Sequence, residues 1–268
     1  MNPINPIKPI RLIKPIKLIH FSDQSSLEKY QELSQFRTEI EVSSNVPPGP
    51  AGHLLKGNYD IIELASGDFQ NFKSIVGSLD VKTSRLGVAD CLIKINADFR
   101  PAHLISESVY KAILQKVPDL KNSESAVIIG DYDFVLAMAY KLAQAGFFNL
   151  IIATDRIAES QKIKKLVKMH AFGIEIQTVP LNELTQLESG SVLLVSNLNR
   201  KSNIEAYESL TYFNFLSRGA AFVDLNSRNE AILAEEARRA EIIMIEEIDI
   251  LQIKYQTIIE IFKNSPFV

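Results

Sequence analysis

Ala126-Val127-Ile128-Ile129 is an unbroken run of small and β-branched residues that closes on Gly130, and Asp131-Tyr132-Asp133 follow directly. A buried strand turning sharply into a helix is where open α/β sheets hold phosphate-bearing ligands. The free N–H groups and the positive end of the helix dipole both point at the ligand there. A dinucleotide asks for three glycines in that turn: one for the bend, one for close approach of the pyrophosphate, and one for helix packing. Only Gly130 is present, because the second position falls on Tyr132 and the third on Val135. Asp131 and Asp133 put two carboxylates where phosphates would lie, and Tyr132 adds a bulky ring. The expectation is that Asp133 caps the helix in place of a phosphate, the alternative being that the aspartates hold a cation or a ribose hydroxyl.

The elements that position this turn follow from hydrophobic periodicity. After the strand at 126–130, helices are expected at 134–145, 157–170, 203–216, 230–239 and 248–262. Strands are expected at 150–154, 174–179, 191–196, 220–224 and 242–245. Continuous apolar strands alternating with amphipathic helices specify an α/β fold with a parallel sheet covered on both faces. Upstream, a strand is expected at 17–21, a helix at 27–36 and a short apolar segment at 39–42. Pro47-Pro48-Gly49-Pro50-Ala51-Gly52 reads as a loop. A strand at 59–64, a helix at 69–79, a strand-like stretch at 86–95 and a helix at 106–116 complete the first half.

Composition narrows the function class. The 268 residues are 46% hydrophobic and 23% charged, with a net charge of −3, so neither nucleic acid nor an anionic membrane is expected as partner. The single cysteine, Cys91, excludes an internal disulfide framework and suits a reducing, cytoplasmic compartment. His20, His53, His103 and His170 are scattered, and no metal site is expected. No apolar run approaches the roughly 20 residues of a membrane span, and prolines and lysines interrupt any signal-peptide pattern. After Met1 the chain runs as six triplets, NPI-NPI-KPI-RLI-KPI-KLI. Proline blocks a helix there, and the period of three matches polyproline II. This segment is a docking strip or an irregular extension leading into the first strand.

The order of elements resembles the shikimate dehydrogenase family, most clearly over 127–262. That family joins an N-terminal substrate domain to an NADP-binding Rossmann domain, and a final helix returns to the first domain. The family turn GAGG falls on Gly130-Asp131-Tyr132-Asp133. Its Asn-Arg-Thr motif, which meets the 2′-phosphate of NADP, falls on Thr154-Asp155-Arg156. The strand end "NaTp" is similar to Val195-Ser196-Asn197-Leu198, and "vfDlvYnP" to Phe222-Val223-Asp224-Leu225-Asn226. In the closing helix the family's substrate-binding glutamine falls on Lys254, with Gln252 and Gln256 nearby. The resemblance implies the catalytic aspartate at Ser106, with Glu107 one residue away, and the catalytic lysine at Lys73. Ser22, Ser25 and Ser26 stand for the serines that hold the substrate carboxylate.

The implied organisation is a Pro/Ile-rich extension (1–16), a substrate-type α/β domain (17–117), a Rossmann-type domain (118–246) and a returning helix (247–268). One missing member of a proton-transfer pair costs about 10² to 10⁴ in rate, and here the acid and the nucleotide glycines are lost together. The expectation is a shikimate dehydrogenase-like chain without NADP or dehydrogenase activity that binds a small ligand or a protein partner, as a monomer or homodimer. The alternative is an NADP-dependent shikimate- or quinate-type oxidoreductase with an altered substrate, using Lys73 and Glu107. A third reading gives the acidic turn to a phosphate-free adenosyl ligand.

Overall fold

The computed structural model describes residues 14–21, 34–43, 51–76, 81–198, 203–210, 212–226 and 231–264. The triplets before residue 14, Ser22, Ser25, Ser26 and most of the helix expected at 27–36 lie outside these residues.

Two sheets organise the chain. The first takes β1 (Ile16–His20), β2 (Ile40–Ser43), β3 (Ile61–Glu63), β4 (Cys91–Ile95) and β5 (Asp98–Ala102) in the order β2-β1-β3-β4-β5. The pairs β1·β2 and β1·β3 are parallel, whereas β3·β4 and β4·β5 are antiparallel. The strand β5 was not expected. Asn96 and Ala97 both take positive φ, 53° and 68°, which closes a two-residue hairpin without glycine. Pro101 is tolerated because β5 is an edge strand.

The second sheet is wholly parallel. It contains β6 (Ser125–Ile129), β7 (Asn149–Ala153), β8 (Glu175–Val179), β9 (Ser191–Ser196), β10 (Leu216–Asp224) and β11 (Ile243–Glu246). Their order is β11-β10-β9-β6-β7-β8, a doubly wound sheet whose strand order reverses between β6 and β9. Successive side chains of a strand face opposite ways, and β6 shows why its run is apolar throughout. Ala126 and Ile128 join a core cluster with Leu136 and Ile163, and Val127 and Ile129 join another with Tyr207 and Phe222.

The helices are α1 (Ala51–Leu55) and α2 (Val81–Leu86), then α3 (Leu104–Lys116), α4 (Tyr132–Gln144), α5 (Ile157–His170), α6 (Ile204–Leu210), α7 (Ala231–Arg239) and α8 (Glu247–Asn264). The last helix leaves β11 and packs Tyr255, Ile258 and Phe262 on Leu18, Ile61 and Ile93 of the first sheet.

Four expected elements are corrected. The loop expected at 47–52 gives way to α1 at Ala51, and its first four residues lie outside the described ones. Over 69–76 the helix expected at 69–79 is instead a 3-10 turn at Asp68–Asn71 followed by hydrogen-bonded turns to Val76, and 77–79 lie outside the described residues. Gly67 enters that turn at φ 84°, and Phe69 and Phe72 are both drawn fully into the core, three residues apart. The stretch 86–95 splits, because α2 ends at Leu86, Gly87 turns at φ 71°, and β4 starts only at Cys91. The helix at 203–216 stops at Leu210, and Phe213 takes φ 47°, so that β10 begins at Leu216.

Candidate ligand cavity at the sheet switch point

The carboxyl ends of β6 and β9 meet where the strand order reverses, and the Asn197 N–H donates to Ile129 O at 3.1 Å. Gly130 follows β6 at φ 152°. A Cβ built there would lie 1.8 Å from Asn197 Oδ1, so the asparagine side chain is seated directly over the glycine. Asn197 Oδ1 accepts from the Asp131 N–H at 3.0 Å, and Asn197 Nδ2 donates to Asp131 Oδ2 at 2.5 Å. Asp131 Oδ1 in turn accepts from the Phe134 N–H at 3.0 Å.

Asp131, not Asp133, is therefore the N-cap of α4. Its extended backbone, φ −72° and ψ 163°, is what a capping position requires, whereas Asp133 already lies in the first helical turn. Asp133 reaches the other way, and its Oδ2 accepts from the Gly67 N–H at 2.7 Å, joining the two halves of the chain. Burial raises its pKa above the ordinary value against the pull of that N–H, and the neighbouring Asp131 and Asp68 charges add to the rise. Tyr132 also departs from expectation. Its ring packs, partly buried, against the core cluster under α4 and is not among the residues lining the cavity.

The facing wall comes from the first sheet and α8. His20 closes β1 and Glu63 closes β3, both with their side chains buried. Glu63 lies 2.7 Å from His20 Nδ1 and 2.7 Å from Lys254 Nζ. Burial opposes the Glu63 charge, but Lys254 and His20 hold the carboxyl well below its usual range. Burial opposes Lys254 in the same way, and Glu63 with Asp90 outweighs it, so the ammonium is held well above its ordinary value.

Asp90 precedes β4 and caps α3 from outside that helix, accepting from the Leu104 N–H at 2.8 Å and the Ile105 N–H at 2.5 Å. His103 Nδ1 lies 3.5 Å from Asp90 Oδ2, is buried, and has no hydrogen-bond partner among the described residues. Burial pushes the His103 pKa below its ordinary value, against the pull of Asp90.

Between these walls lies a cavity of about 460 Å³. Asp131, Asp133 and Asn197 line it from the side of the second sheet, Asp90 and His103 from the side of the first, and Lys254 from α8. Glu63 and Glu247 add two further carboxylates. Its polar surface is thus dominated by acceptors, and its one lysine is already matched by Glu63.

The other residues expected to act fall elsewhere. Lys73 is exposed and outside the lining. Ser106 is buried, accepts from Lys82 Nζ at 3.2 Å and donates to His103 O. Glu107 is held between Lys82 and Lys141, which offset its burial and lower its pKa. Asp155 accepts from the Leu181 N–H, and exposed Arg156 pairs with Glu159 at 3.6 Å. Gln256 is exposed and donates to Glu260. Asp224 orders the loop that follows it, accepting from the Asn226 N–H at 3.0 Å. His20, Glu63 and His103 were missed as site residues. Each closes a strand or opens a helix at the carboxyl edge of the first sheet, the position at which open α/β sheets collect ligand contacts.

Among the described residues no group of three or more histidine, cysteine or acidic side chains is arranged to hold a metal ion. No helix among them is long and apolar enough to cross a membrane. A dinucleotide pyrophosphate would need the first N–H groups of α4 and an open approach to Gly130. Asp131 already satisfies the Phe134 N–H and Asn197 covers Gly130, so these residues do not fit that group.

No protein-family model and no curated protein matches the sequence. Solved structures do match. A shikimate dehydrogenase in complex with NADP+ superposes with a TM-score of 0.74 at 16% identity, covering 93% of this chain and 89% of that one. Shikimate 5-dehydrogenase from Listeria monocytogenes, with shikimate and NAD, gives 0.73 at 13% identity, covering 95% and 93%. Quinate dehydrogenase from Corynebacterium glutamicum, with NAD, gives 0.72 at 15% identity, covering 92% of each chain. Over nearly its whole length, the chain has the α/β fold of the shikimate and quinate dehydrogenases.

Proposed function

We propose that this chain is a binding protein on a shikimate dehydrogenase scaffold, without NADP and without the dehydrogenase reaction, and that it holds a small ligand in the cavity between its two sheets. The observation that carries this reading is the Asp131–Asn197 pair. In one arrangement it caps α4, covers Gly130 and presents a carboxylate where a cofactor phosphate would be needed. An anion gains from a helix N-terminus only where the N–H groups are free, and a fixed carboxylate at close range repels it.

Two further features support the reading. Lys73 stands in solvent, and Glu107 is neutralised by two lysines, so neither side chain is placed to manage a substrate proton in the cavity. Cys91, single and buried, agrees with residence in a reducing, cytoplasmic compartment.

The similar proteins were crystallised with NADP+ or NAD, which makes those cofactors the appropriate probes. In a titration of the full chain followed by nicotinamide fluorescence and calorimetry, neither NADPH nor NADH should show saturable binding in the micromolar range. Micromolar binding of either would overturn the proposal.

A further inference from the structure

A second charge cluster lies outside the cavity, at the seam of α2, α3 and α4. Glu107 of α3 takes Lys82 of α2 at 3.0 Å on one oxygen and Lys141 of α4 on the other. The two lysine side chains are only 21% and 19% exposed. Lys141 also leans on Tyr110, with its Nζ 5.0 Å from the ring centroid. Arg85 stands three residues beyond Lys82 on α2, which makes the two neighbours on the helix surface. Its Nη1 donates to the Tyr140 hydroxyl at 3.4 Å, and Tyr140 immediately precedes Lys141. Arg85 is exposed and pairs with no acid among the described residues.

Three cations therefore share one carboxylate, and two positive charges stay unmatched. Other helix cations are not left so. Arg238 and Arg239 have Glu235 and Glu236 between them, and Lys116 has Asp249. In a chain of net charge −3 the excess at the seam is a local feature. Like charges held side by side repel, and solvent screens the repulsion least where the side chains are partly buried, as those of Lys82 and Lys141 are. A counter-anion relieves it. The Arg85 guanidinium offers a planar fork of N–H donors that fits a tetrahedral oxyanion, and the two ammoniums add point charges beside it.

We propose that the seam formed by Lys82, Arg85 and Lys141 binds a phosphate group, as free phosphate or as a small phosphate monoester. Such a group carries close to two negative charges at neutral pH and three acceptor oxygens, which matches the two unmatched cations. Arg85 receives it from the exposed side, and Lys82 and Lys141 hold it from the side of Glu107. A phosphodiester, with one charge and two blocked oxygens, meets the requirement poorly. The site is separate from the cavity and stands whether or not the cavity holds a ligand.

The test titrates the full chain with inorganic phosphate and glycerol 3-phosphate at constant ionic strength, above roughly pH 7 so that both are dianions. Dimethyl phosphate serves as the monoanionic control. Calorimetry should show saturable binding of a phosphate probe at millimolar affinity or tighter, with a rise in melting temperature, and none of the control. Binding that includes inorganic phosphate assigns the site to the phosphate group alone, and binding of glycerol 3-phosphate only assigns it to a monoester. Arg85→Gln, which keeps a donor for Tyr140, and Lys82→Met should each weaken binding by about tenfold or more. Arg218→Gln, at an exposed arginine of β10, should not. Glu107→Gln should strengthen binding severalfold, because it removes the competing acid, an effect that a purely structural ion-pair network would not give. Circular dichroism checks folding, and the exposed Arg85 variant carries the test if Lys82→Met fails to fold. Silence of both phosphate probes, equal binding of dimethyl phosphate, or an equal loss in Arg218→Gln would overturn the site. So would unchanged affinity in folded Arg85→Gln, or unchanged or weaker affinity in folded Glu107→Gln.

Discussion

Lys254 Nζ on α8 and the Glu63 carboxylate at the end of β3 lie 2.7 Å apart, with both side chains closed off from solvent. The pair ties the last helix to the centre of the first sheet and forms part of the cavity wall. His20 completes it from β1 at 2.7 Å from Glu63.

Breaking that pair from one side should be far worse than removing it whole. Lys254→Met leaves a buried carboxylate without its main counter-charge and should cost about 3–5 kcal/mol. Adding Glu63→Gln should recover a large part of the loss. Urea unfolding of the two single variants and the double variant checks this, and additive losses would contradict it.

The pair also predicts the shape of the pH profile. Glu63 is held below its ordinary value of 4.5, so its contribution is present above about pH 4.5 and is lost as pH falls toward the lower folded value. Lys254 is held above its ordinary 10.5, so its contribution is present below about pH 10.5 and is lost as pH rises beyond it. Subtracting the Lys254→Met/Glu63→Gln profile from that of the unaltered protein should leave a plateau between these limits with a fall on each side. A flat difference would show that the pair does not couple to folding.

Gly130 faces two costs on substitution. Its φ of 152° strains any side chain, and an added Cβ meets Asn197 Oδ1 at 1.8 Å. Gly130→Ala should destabilise the protein by about 2–4 kcal/mol. Adding Asn197→Ala should return the steric part only, so that the double variant unfolds at an intermediate urea concentration.

Asp131→Ala should cost about 1 kcal/mol for the lost cap of α4. Asp133→Ala should leave the helix start intact, because Asp133 accepts from Gly67 and not from α4. Amide hydrogen exchange over 132–136 distinguishes the two, with faster exchange expected only in the Asp131 variant.

Lys73→Ala should change the melting temperature by no more than about 1 °C, as befits an exposed side chain outside the cavity. A larger shift would contradict its exposed position.

Much of the second half was legible in the sequence. Its strands are continuous apolar runs and its helices carry clean stops, so the parallel doubly wound sheet follows from patterning. The first half was less so, because Asn96-Ala97 closes a hairpin without the usual glycine and Pro101 disguises an edge strand. At the turn, the loss of glycines and the two carboxylates were visible, but the cap was placed two residues too late. Asp131 and Asp133 both satisfy the local rule for a helix start, and only the backbone angles at 131 decide between them.

The sequence by itself determined the fold class and the chemistry of the turn, because both depend on periodicity and residue type within a short window. The tertiary structure alone decided the rest. Glu63 with Lys254, Asp133 with Gly67, and Asn197 over Gly130 each join residues distant in the chain. No local pattern encodes such meetings. They arise where the last helix returns to the first sheet and where β6 and β9 bring their carboxyl ends together, and there burial fixes which charges must find partners.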